Sequence, residues 1–69
     1  MTSPILLGID TGGTYTDAVL FREGEGVIAK AKSLTTRHDL ADGIAGAVDA
    51  VLLKSGHSAS EIGLVSLST

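Results

Sequence analysis

Ten consecutive residues, Gly8-Ile9-Asp10-Thr11-Gly12-Gly13-Thr14-Tyr15-Thr16-Asp17, concentrate the side chains of this sequence that could do chemistry. Two adjacent glycines let a backbone adopt positive φ and bring its amides close to a ligand with no Cβ in the way. Amides converging in this way bind anions. Thr11, Thr14 and Thr16 add hydroxyls that can donate to phosphate oxygens. Asp10 would repel a bare phosphate, so the set makes chemical sense with a cation between carboxylate and phosphate. Mg²⁺ suits that place, because it keeps several waters through which a carboxylate can hold it. The combination points to a magnesium nucleotide. It is not a Walker loop: the GxxxxGK[ST] lysine is missing and the residues that follow read as a strand. The same residue types also suit an ordinary hairpin turn.

The elements around this loop must hold it in place. Ile5 to Ile9 is an unbroken apolar run ended by Asp10, the pattern of a strand buried on both faces. Thr16 to Arg22 reads as a second strand, which makes Asp10 to Thr16 a hairpin loop. Alternation in this strand sets Asp17 on one face with Val19 and Phe21, where its carboxylate could serve the site or pair with nearby backbone. Glu23 to Gly26 turns the chain again. Val27 to Leu34 alternates Val27, Ala29 and Ala31 with Lys30 and Lys32, as a half-exposed strand does. From Leu40 the spacing changes to that of a helix, with Leu40, Ile44, Ala47, Val48, Val51 and Leu52 on one apolar face. Asp39 can cap its start, and Lys54 with Gly56 can close its end, giving limits of Leu40 to Ser55. Gly43 and Gly46 cost up to ~1 kcal/mol each against alanine inside a helix, which close packing on a sheet would offset. Ser58 and Glu61 fit a capping box at a short turn, and Leu64 to Ser68 returns to strand. The expected fold is α/β in the order β-β-β-α-β: a three-stranded antiparallel meander, then a crossover helix. Residues 1–69 form one domain.

Composition narrows the classes. The 69 residues include no cysteine and two separated histidines, His38 and His57, so neither disulfides nor a zinc cluster can staple the chain. Both histidines read as ordinary exposed residues. Hydrophobic residues make up 43% and mean hydropathy is +0.36, more than a free-standing domain of this size normally exposes. The apolar run Ile62, Leu64, Val65, Leu67 continues almost to Thr69, so the chain reads as the N-terminal piece of something larger. A net charge of −3 with dispersed lysines and arginines argues against nucleic acid and anionic membranes as partners. Neither a secretory leader nor the ~20 apolar residues of a membrane span is found, and a cytoplasmic location is expected.

The GIDTGGT stretch followed by a hairpin resembles the first phosphate motif of the actin-like ATPase superfamily, shared by actin, sugar kinases and heat-shock chaperones. Its continuation narrows the resemblance. TYTDAVLF, a short turn, a lysine-bearing strand, Thr35-Thr36 and an apolar helix are similar to the N-terminal domain of the hydantoinase A/5-oxoprolinase family, which also includes acetone and acetophenone carboxylase subunits. Tyr15 stands where that family commonly has Phe, Arg37 where proline is frequent, and Leu67-Ser68-Thr69 where it often has His-Gly-Thr.

The resemblance implies a ribonuclease H-like fold and an ATP-dependent enzyme that opens cyclic amides or imides such as hydantoin or 5-oxoproline. ATP and Mg²⁺ are its implied cofactors. Asp10 would hold the metal through water, and the amides of Gly12, Gly13 and Thr14 would meet the phosphates, with Thr11 and Thr16 as supporting donors. Catalytic residues would lie beyond Thr69, and the isolated piece would be inactive. Implied partners are the rest of the same chain and a hydantoinase B-type subunit. A sugar or acyl kinase would share this loop but phosphorylate a hydroxyl. An aspartic protease shares the Asp10-Thr11-Gly12 string, although a second copy and a β-rich fold are lacking. A non-catalytic module would be recognised by an Asp10→Ala change without effect.

Overall fold

The computed structural model describes residues 3–35 and 39–68. Thr36, Arg37, His38 and Thr69, on which some of the readings above fall, lie outside the described residues. Three strands come first, β1 (Ile5–Thr11), β2 (Tyr15–Arg22) and β3 (Gly26–Leu34), followed by helix α1 (Leu40–Ser55), one 3₁₀ turn (Ala59–Glu61) and β4 (Ile62–Ser68). The sheet order is β3-β2-β1-β4; the first three strands form an antiparallel meander and β4 joins β1 in parallel after the helical crossover. The α/β class and the β-β-β-α-β order are those expected.

Ile5, Leu7 and Ile9 of β1 and Ala18 and Leu20 of β2 point to one face of the sheet, where Ala47 and Val51 of α1 cover them. The helix meets the sheet along the ridge Gly43-Ala47-Val51, flanked by Ile44, Val48 and Leu52. Leu40 falls off this ridge and is 54% exposed, a departure from the expected apolar stripe. Both helix glycines permit close approach. A Cβ on Gly46 would sit 2.7 Å from the Ser33 hydroxyl, and one on Gly43 would sit 3.3 Å from the Leu34 carbonyl oxygen. The caps form as anticipated: the Asp39 side chain accepts from the Ala41 amide, and Gly56, at φ 77°, donates to the Leu52 carbonyl.

Two irregularities alter the simple alternation. The pairing shifts by one residue between Leu20↔Ala29 and Phe21↔Val27, so Ile28 is extra on β3. Ile28 consequently packs on the core, while Val27 turns outward at 60% exposure instead of sharing a face with Ala29. A second shift, between Ile5 and Leu6, leaves Gly63 extra on β4, beside Pro4. Among the described residues no helix is long and apolar enough to cross a membrane.

Candidate functional site

Antiparallel pairing carries β1 and β2 past the expected strand ends. Asp10 pairs with Asp17, and Thr11 pairs with Thr16, so the connection shrinks to Gly12, Gly13 and Thr14. Neither glycine takes positive φ. Their roles differ from the conformational freedom the sequence suggests. A Cβ on Gly12 would lie 2.9 Å from the Tyr15 carbonyl oxygen, to which the Gly12 amide also donates at 2.9 Å. Gly12 is thus required by the turn itself. Around the Cβ position of Gly13 there is open space.

The loop is tied from a distance by Thr35, whose part the sequence alone did not suggest. Its amide donates to the Thr14 carbonyl at 2.8 Å and its hydroxyl donates to the Gly12 carbonyl at 2.9 Å. Because that hydroxyl proton is committed to Gly12, the 3.0 Å contact between the Thr16 and Thr35 hydroxyls runs from Thr16 as donor to Thr35 as acceptor. Thr16, at 1% exposure, lies in the core under α1 and turns away from the loop surface. Thr11 directs its hydroxyl to the Ser68 carbonyl at 3.3 Å. Of the three amides singled out, Gly12 is engaged within the turn. Those of Gly13 and Thr14 make no hydrogen bond among the described residues.

The sheet face opposite α1 carries the carboxylates. Asp10 and Asp17 are exposed cross-strand partners, and Asp10 also pairs with Ser68 of β4. Around them lies a shallow concavity of about 280 Å³ lined by Gly8, Asp10, Asp17, Val19, Ser66 and Ser68. Among the described residues neither carboxylate has an ion-pair partner. Lys32, opposite Asp17, places its ammonium over the Tyr15 ring instead, 4.7 Å from the centroid. Like charges facing one another across a ladder repel, so a cation between them would be favourable. The donors are all oxygen, which suits Mg²⁺. No cluster of three or more His, Cys, Asp or Glu side chains fit to hold a metal forms among the described residues, so an ion here would depend on water and ligand oxygens for the rest of its shell.

At the opposite end of the sheet, His57, expected as an ordinary exposed residue, is half-buried and paired. Its Nδ1 lies 2.7 Å from the Glu61 carboxylate, which also accepts from the Ser58 amide at 3.0 Å in the capping box. That backbone bond first, and His57 second, hold the Glu61 carboxyl below its ordinary range.

A family model described as the hydantoinase/oxoprolinase N-terminal region matches residues 6–69. The acetophenone carboxylase gamma subunit of Aromatoleum aromaticum is 48% identical to this chain over 56 residues, which cover 81% of the chain. The match spans 7% of that subunit's length.

Proposed function

Since this chain belongs to the hydantoinase/oxoprolinase N-terminal family, we propose that its first hairpin holds the phosphates of ATP within a larger ATP-dependent enzyme. One observation carries the reading: two amides, Gly13 and Thr14, and two carboxylates, Asp10 and Asp17, stand at the same end of the sheet, the amides without a hydrogen-bond partner and the carboxylates without an ion-pair partner among the described residues. An amide with no internal partner can bind an anion without first giving up a hydrogen bond. Asp10 would hold hydrated Mg²⁺, with Asp17 facing it across the ladder; the ion's contribution is to neutralise phosphate charge during transfer. Thr11 stands beside this group. Thr16, whose hydroxyl is turned to Thr35, acts through the loop it braces.

The reaction we assign to the parent enzyme is ATP-driven opening of a cyclic amide or imide. The amide oxygen attacks the γ-phosphorus and the bond to ADP breaks. Water then adds to the activated carbon, and the ring C–N bond breaks with the nitrogen leaving as the protonated amine to give an acyl phosphate. A second water hydrolyses that acyl phosphate to carboxylate and inorganic phosphate. The groups that bind the ring and activate the water are assigned to other parts of the enzyme. A carboxylase subunit is the second reading, favoured by the acetophenone carboxylase relative. In that case phosphoryl transfer would activate a carbonyl substrate or bicarbonate, and the enzyme would act with further subunits.

Phosphate release by the full-length protein, assayed with cyclic amides and with ketone plus bicarbonate, separates the two. Substrate-dependent release should fall by about 100-fold or more in Asp10→Asn, on the scale of losing one preorganised charge-stabilising group. Release unchanged by the substitution would remove Asp10 from the site.

A further inference from the structure

We infer that Thr35 is a positioning residue that aims the Gly13 amide at the bound phosphate. The argument begins with the planarity of the peptide bond. The Gly12 carbonyl and the Gly13 N–H belong to one trans peptide unit, so they point in opposite directions. The Thr35 hydroxyl holds that carbonyl at 2.9 Å on the side of β3 and α1. The Gly13 N–H must then point the other way, to the open side. Glycines on both sides of this peptide would otherwise let it rotate easily.

Thr35 is itself held firmly. Its amide is bound to the Thr14 carbonyl at 2.8 Å, and its hydroxyl accepts from the buried Thr16 hydroxyl at 3.0 Å. Helix α1 closes on the same point, since a Cβ at Gly43 would lie 3.3 Å from the Thr16 hydroxyl and 3.4 Å from the Thr35 Cα. The hairpin, the end of β3 and the first turns of α1 therefore meet at one hydroxyl. Nothing in the immediate sequence of the loop supplies this constraint, because Thr35 lies 23 residues from Gly12.

The inference rests on the nucleotide reading above, and the experiment keeps the two apart. In the full-length protein, Thr35→Val preserves shape and the backbone bond but removes the hydroxyl, whereas Thr35→Ser retains it. Thr35→Val should weaken equilibrium binding of Mg-ATP by about three- to tenfold, the scale of one hydrogen bond. KM for ATP should rise by the same factor with kcat nearly unchanged, as for lost uniform binding. Exchange of the Gly12 amide, which is hydrogen-bonded to the Tyr15 carbonyl, should accelerate in the ligand-free protein, and Thr35→Ser should restore both properties. Wild-type affinity or unchanged Gly12 exchange in Thr35→Val would overturn the inference, as would a Thr35→Ser protein as weak as Thr35→Val. Absence of Mg-ATP binding by the wild type would instead overturn the nucleotide reading and this inference with it.

Discussion

The two ends of the sheet treat their polar groups in opposite ways. At the far end, the polar groups of the β2–β3 turn are paired: Arg22 pairs with Glu25 at 3.0 Å and donates to the Ser3 carbonyl, while the Glu25 amide donates to the Arg22 carbonyl. His57 and Glu61 pair close by. At the loop end, Asp10 faces Asp17, the Gly13 and Thr14 amides have no partner among the described residues, and the turn is braced by distant Thr35. The glycines follow the same division. Gly24 and Gly26 take φ of 91° and 85°, as their turn requires, whereas Gly12 and Gly13 keep φ that other residues could adopt. Positive φ marks the structural turn here. Unsatisfied donors beside unpaired carboxylates mark the candidate site.

Substitutions at the far end can break this contrast. Gly24→Ala forces a side chain into left-handed backbone, which should lower stability by about 1–2 kcal/mol. Its effect should appear in the unfolding midpoint of the full-length protein and leave Mg-ATP affinity unchanged. An affinity loss as large as the stability loss would show that the two ends are not separable.

A smaller effect is expected at Glu61. Its carboxyl is held below the ordinary 4.5, so it stabilises the fold fully above the unfolded value. That contribution disappears as pH falls below 4.5 through the folded value. Glu61→Gln should therefore flatten the acid limb of stability against pH, with no change near neutrality in nucleotide binding. An acid limb as steep as the wild type's would rule out the pair as its source.

Local signals made much of the architecture legible. The limits Leu40–Ser55, the Asp39 cap and the left-handed Gly56 each depend on a few neighbouring residues. Asp10 and the Gly12-Gly13 pair were equally visible as a group. The ends of the strands were not, because pairing depends on partners: Asp10 and Thr11 continue β1 only because Asp17 and Thr16 stand opposite. Periodicity set Val27 on the face of Ala29, and the extra residue Ile28 moved it to the other. Thr16 carries a phosphate-donor residue type, yet its place in the ladder turns it toward α1. His57 could have been recognised from the carboxylate four residues later, a spacing that favours contact in a compact turn. Thr35 could not, since only the folded meander brings it to Gly12.

Gly13 gives the most direct measurement of the central claim, because a methyl group there meets open space and no positive φ. Titration of full-length Gly13→Ala with Mg-ATP, beside its unfolding midpoint, separates ligand approach from folding. The account predicts an unchanged midpoint with affinity reduced about tenfold or more, as the methyl occupies the space through which phosphate reaches the amide. Wild-type affinity in a protein of unchanged stability would contradict it, and would remove the first hairpin from the nucleotide site.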